Sequence, residues 1–128
     1  MARKKYTLDY LIKSSPKILY NFLATPSGLS QWFADDVKSV KNDFSFFWDG
    51  FEEKAMLIGK EDNVYVRFRM LDEKSKNEYF ELRIERSPVT NDTILLLTDF
   101  VDEEEYEDQR LLWNSLIDNL INKVGGRS

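Results

Sequence analysis

The sequence predicts an α+β domain in which one curved antiparallel sheet wraps a long C-terminal helix, in the order β-α-α-β6-α. Three features lead to this class. Two proline-marked helix starts, Ser15-Pro16 and Thr25-Pro26, follow one alternating segment; period-two alternation then runs to about Val101; and a broad amphipathic helix comes last.

The first strand is expected over residues 6–12, where Tyr6, Leu8, Tyr10 and Ile12 share one face and Thr7 and Asp9 the other. Leu11 is the exception. Ser15 offers a side-chain oxygen as an N-cap, and Pro16 suits the first helical position because its missing N–H would have no partner there. Ile18, Leu19, Phe22 and Leu23 then form an apolar stripe. Thr25-Pro26 starts a second helix, expected to carry Leu29, Trp32 and Phe33 at helical spacing.

Beyond Asp35 and Asp36 the period changes. Phe44, Phe46 and Trp48 alternate, as do Val64, Val66, Phe68 and Met70, and then Phe80, Leu82 and Ile84, the signature of half-buried strands. Weaker strands are expected at residues 37–40 and 54–58, and the last near 94–100, for about seven in all. Turn residues at 60–63, 72–77 and 87–92 are short enough for consecutive hairpins, so a meander is the simplest topology. The last strand is apolar on both faces through Ile94, Leu95, Leu96 and Leu97. Either its own chain covers both sides, or Leu95 and Leu97 meet a protein partner or a second copy.

For the final helix, Asp102 with Glu105 reads as a capping box, and the acidic run 102–108 suits the positive end of the helix dipole. Tyr106, Trp113, Leu116, Ile117, Leu120 and Val124 share one face, widened by Leu112 and Ile121, and Gly125 and Gly126 stop the helix. So wide an apolar face must be covered, and the concave face of the sheet is the available surface.

Composition narrows the functions. At 128 residues and 42% apolar, one domain over residues 1–128 with a real core is expected. A net charge of −5 argues against a nucleic-acid partner, because backbone binding needs clustered Lys and Arg. The chain has neither cysteine nor histidine. It therefore lacks a thiol nucleophile, a disulfide framework, and the side chain most used for proton transfer near neutral pH. The N-terminal alternation is unlike the apolar core of a signal peptide, and no apolar run approaches the ~20 residues of a membrane span. A soluble, unprocessed protein compatible with the cytoplasm is expected.

This order of elements resembles the START-like superfamily with its helix-grip fold, and in particular the branch of homologues of the heat-shock-chaperone ATPase activator. In that branch an early Ser-Pro opens an apolar-rich helix, and a Pro-containing turn leads to a Trp-Phe pair. Here Ser15-Pro16, the stripe from Ile18 to Leu23, Thr25-Pro26 and Trp32-Phe33 look the same. The paired glycines that often follow are replaced by Lys41-Asn42-Asp43. The resemblance implies a cavity between sheet and terminal helix, which in many relatives holds a lipid, sterol, polyketide or other apolar molecule. Some relatives are enzymes and others bind chaperones. No catalytic motif carries over, and neither a cofactor nor a metal is implied.

The candidate ligand contacts are Tyr6, Tyr10, Phe68, Phe80, Gln109 and Trp113. Gln109 lies on the helix face of Tyr106 and Trp113, where a polar group aimed at an apolar cavity needs a partner. Against this, Gln109 near the helix start meets water, and the tyrosines pack. Trp32, Phe33, Phe44, Phe46, Trp48, Phe68 and Phe80 either line a pocket or fill it. Asp35, Asp36, Asp49, Glu52 and Glu53 lack the spacing of a calcium loop. Arg67 and Arg69 are expected to pair across strands with Glu81 and Glu85. The leading reading is non-catalytic binding of an apolar small molecule. The rival is a protein-interaction module with a filled core, and an enzyme ranks last.

Overall fold

The computed structural model of the chain describes residues 2–72 and 77–125. Strand β1 (Arg3–Ile12) leads through α1 (Pro16–Ala24) and α2 (Pro26–Leu29) to β2 (Asp36–Val40), β3 (Asp43–Trp48), β4 (Phe51–Glu61), β5 (Tyr65–Met70), β6 (Phe80–Arg86) and β7 (Thr93–Asp102). A single 3₁₀ turn, Glu103–Glu105, then feeds α3 (Tyr106–Val124). The strands form one antiparallel sheet in the order β1-β7-β6-β5-β4-β3-β2. The meander is therefore present from β2 to β7, and β1 closes onto β7 in a ten-residue register from Arg3↔Asp102 to Ile12↔Thr93.

Both helix starts are capped by the expected side chains: Ser15 Oγ accepts from the Ile18 N–H at 3.2 Å, and Thr25 Oγ1 from the Gly28 N–H at 3.0 Å. The second helix is shorter than its spacing suggests. It ends at Leu29, and Trp32 and Phe33 sit in the turn that follows. Their indole and backbone serve as struts: Trp32 Nε1 donates to the Phe22 carbonyl at 2.8 Å, and Trp48 Nε1 donates to that of Phe33 at 2.9 Å. Gly28 permits the close approach of α2 to α1, since a Cβ there would lie 2.2 Å from the Asn21 carbonyl oxygen.

Strand β4 extends well beyond the expected residues 54–58. Its first four residues are all exposed, and a bulge between Leu57 and Gly59 breaks the alternation, so only its centre looks apolar in sequence. The β3–β4 hairpin turns on Asp49 (φ 50°) and Gly50 (φ 82°), the Asp-Gly pair that suits a two-residue turn with both residues left-handed. Asp35 Oδ2 locks this turn by accepting from the Asp49 N–H at 2.8 Å, so both aspartates are structural. Of the turn expected at 72–77, residues 73–76 lie outside the described residues, as does Gly126.

Three further expectations are corrected. Leu95 and Leu97 are fully buried (0% exposed) and point into the core, so they cannot form a surface for a partner; β7 lies between β1 and β6, and Ile94 and Leu96 occupy its outer face. Asp102 makes no capping bond, because the 3₁₀ turn intervenes and its carboxylate accepts from Arg3 Nη1 at 3.1 Å. Leu112 does not widen the buried face of α3 but is 59% exposed, whereas Trp113, Ile117 and Leu120 are buried.

The core is aromatic at one end. Phe33 lies with its ring centroid 5.0 Å from Phe46, 5.3 Å from Trp48, 5.4 Å from Phe80 and 5.8 Å from Trp113. On the opposite face of the sheet, Glu81 accepts from Arg67 Nη2 at 2.6 Å and from Arg83 Nε at 3.0 Å. Arg67 with Glu81 is an expected cross-strand ion pair, whereas Arg83 reaches Glu81 along the same strand and Arg69 forms no ion pair among the described residues; Glu81 itself is nearly buried (8% exposed) beneath the two guanidinium groups. Burial opposes its charge, but the bonds from Arg83 and Arg67 prevail and hold its carboxyl below the usual range.

Candidate functional site

Strand alternation in β7 puts Leu95, Leu97, Asp99 and Val101 on one face. The three apolar members are buried in the core. The register therefore carries Asp99 inward, opposite Tyr6 of β1. Helix α3 crosses this face and lays Gln109 and Trp113, one turn apart, over the carboxylate. Asp99 Oδ2 accepts from Gln109 Nε2 and Trp113 Nε1, both at 2.9 Å, and Oδ1 accepts from the Phe100 N–H at 2.8 Å. Gln109 Nε2 also lies 2.9 Å from Tyr6 Oη and 3.0 Å from the Phe100 carbonyl oxygen. The polar group on the helix face has thus found its partners within the protein.

Burial pushes the Asp99 carboxyl up to about 6, even though donation from Trp113, the Phe100 N–H and Gln109 pulls the other way; the charge of Glu78 adds to the rise. Burial likewise holds the Tyr6 phenol above its ordinary range, helped by the Asp99 charge.

Beside this cluster a cavity of about 520 Å³ opens between the sheet and α3. Phe33, Trp48, Phe80 and Trp113 supply aromatic walls, Met70, Leu112 and Leu116 aliphatic ones, and Asp99 and Gln109 the inner polar groups. The exposed side chains of Leu112 and Glu53 mark its open side. Arg3 and Glu78 also border it, and they bond to one another: Arg3 Nε donates to Glu78 Oε2 at 2.8 Å.

Of the six candidate contacts, Phe80, Gln109 and Trp113 line the cavity and three do not. Phe68 is fully buried and stacks on Phe80 with centroids 5.3 Å apart, one layer behind the wall. Tyr6 lies behind Gln109 with its ring edge-on to Tyr106. Tyr10 is further along β1, donates to Asn114 Oδ1 at 2.7 Å, and has its phenol pushed up to about 12 by burial. Sequence reasoning missed Asp99. The signal was present, since an acid two residues beyond Leu97 shares its inward-facing register.

The arrangement presents an apolar cleft with one deep carboxylate and one amide. It can hold an apolar body and accept a hydrogen bond at its inner end.

A family model for the START-like superfamily domain matches residues 1–126. None of the curated proteins matches the chain. Among solved structures, the chain is similar to BfR322 from Bacteroides fragilis, with 31% identity, a TM-score of 0.70, and coverage of 100% of this chain and 96% of that one. The Aha1 dimer from Colwellia psychrerythraea is 18% identical with a TM-score of 0.77, over 100% of both chains. MLL2253 from Mesorhizobium loti is 14% identical with a TM-score of 0.75, over 93% of this chain and 95% of that one. The last two likenesses concern the fold. With the family match spanning almost the whole chain and a relative of the same length at 31% identity, the chain belongs to the START-like superfamily.

Proposed function

We propose that this protein binds an apolar small molecule in the cleft between sheet and α3, without chemical change to it. The observation that carries the reading is a cavity of about 520 Å³ whose walls are mostly aromatic and aliphatic. That volume is typical of small-molecule sites, which fall at about 300–1,000 Å³ with few polar groups placed to orient the ligand. Family membership supports it, because START-like domains commonly bind hydrophobic ligands. Phe80, Gln109 and Trp113 are the proposed contacts from the sequence, joined by Asp99, Phe33 and Trp48.

The rival reading, an interaction module with a filled core, is less well supported. The aromatic packing around Phe33 and Phe68 fills only part of the interior and leaves the cleft open. Catalysis finds little support as well, since among the described residues that line the cleft Asp99 is the one deep carboxyl and no serine, threonine or cysteine stands beside it.

Binding is tested with a neutral apolar dye such as Nile red, followed by its own emission, and by displacement with sterols and aromatic metabolites. A ligand present at about a hundred times its Kd stabilises the native state by about 2.7 kcal/mol, which for a domain of this size raises the Tm by about 10 °C. Leu116→Trp, which fills the cleft, should abolish both dye emission and the Tm rise. A wild-type protein that takes up no apolar compound, or a variant that binds as well as the wild type, overturns the reading.

A further inference from the structure

The walls of the cleft explain why an apolar molecule would enter; Asp99 bears on which one. Its carboxylate sits at the inner end on a register otherwise occupied by Leu95, Leu97 and Val101. An apolar residue would complete that face, so the acid costs stability where it stands. All three of its donors, the Gln109 amide, the Trp113 indole and the Phe100 N–H, are electrically neutral. Among the described residues no lysine or arginine forms an ion pair with it. Arg3 borders the same cleft, but its guanidinium is engaged by Glu78 and Asp102. The remaining charged groups of the lining, Glu53 and Glu78, are also acidic.

We infer that the cleft selects an aromatic or alicyclic molecule bearing one protonated amine, with the ammonium on the Asp99 carboxylate and the body among Phe33, Phe80 and Trp113. This rests on the reading of the cleft as a ligand site. A half-buried carboxylate surrounded only by neutral donors lacks the opposite charge that normally accompanies it, and an ammonium supplies that charge. Of the roughly four acceptor positions of a carboxylate, three are in use, two on Oδ2 and one on Oδ1, which leaves one for the ligand. The aromatic faces favour a cation further. Among the described lining residues an anionic ligand of the fatty-acid type would meet three carboxylates and no free positive group, and is disfavoured.

Three probes with one naphthalene body separate the terms: naphthylmethylamine, naphthalenemethanol and naphthoate, each titrated calorimetrically into the full chain near neutral pH and at physiological ionic strength. The amine is expected to bind about tenfold or more tighter than the alcohol, and the carboxylate weaker than either. In Asp99→Asn the advantage of the amine over the alcohol should vanish. In Glu53→Gln, which alters an exposed charge, the advantage should persist. Equal binding of amine and alcohol by the wild type overturns the inference and leaves the cleft as a site for neutral ligands. An advantage that survives Asp99→Asn overturns it too, by assigning the preference to the outer acids. If none of the probes binds, the inference and the ligand-site reading fall together. Should Asp99→Asn not fold, the order of the three probes on the wild type decides.

Discussion

The sharpest consequence of the half-buried, inward-facing acid is that removing its charge should stabilise the protein. Asp99 has an ordinary carboxyl value of 3.8, pushed up to about 6 in the folded chain chiefly by burial. Between those values the folded state binds the proton more tightly than the unfolded chain, so folding is favoured at low pH and loses ground as pH rises through about 6. A rise of this size corresponds to about 3 kcal/mol lost by neutral pH, at about 1.4 kcal/mol per decade of affinity. Asp99→Asn keeps the shape and removes the charge. Its amide oxygen can accept from Gln109 and Trp113, as Oδ2 does now, but its NH₂ group replaces the oxygen that takes the Phe100 N–H. That lost bond costs about 1 kcal/mol, which leaves the variant about 2 kcal/mol more stable than the wild type near neutral pH. The assay is urea unfolding of both proteins, followed by tryptophan fluorescence, at a series of pH values from about 4 to 8. The remaining acids cancel in the difference between the two curves, which should grow in favour of the variant as pH rises. A difference that stays flat across this range, or that turns against the variant, refutes the argument.

The Gln109→Leu variant tests the same cluster from the other side. With that donor gone, the Asp99 carboxyl should titrate above its present value of about 6, read by carboxyl NMR; an unchanged or lower value would mean that the amide contributes nothing to the charge. Gly28→Ala places a Cβ 2.2 Å from the Asn21 carbonyl oxygen and 2.7 Å from the Phe22 Cα, both backbone atoms that cannot yield without moving α1 from α2. A loss of about 2 kcal/mol or more in denaturant unfolding is expected, and a neutral result would show that the two helices are free to separate.

Much of the fold was legible because each local rule was obeyed in place. Ser15 and Thr25 stand where a cap is needed, the inward positions of β5 and β6 alternate without interruption, and the polar partners Arg67, Glu81 and Arg83 face the solvent side together. Legibility failed where a residue's role depends on a distant segment. The helical spacing of Leu29, Trp32 and Phe33 is genuine, yet the indole of Trp32 is held by the Phe22 carbonyl and the chain leaves the helix at Leu29. The charges of β4 hide a strand that its neighbours β3 and β5 pair on both sides. Leu95 and Leu97 looked equally suited to a core or to a partner until the strand order settled which face turns inward.

By itself, then, the sequence determined the class, the order of elements and the face of α3 that must be covered, because periodicity and capping are properties of neighbouring residues. Only the tertiary structure decided how much of the interior is filled. Whether aromatic side chains close a cavity or wall it depends on how sheet curvature and helix position divide space among Phe33, Phe80 and Trp113, which lie far apart in the chain. The structure also decided what Asp99 and Gln109 face, since the environment of a polar group is set by the packing of β1, β7 and α3 and not by the residues beside it in sequence.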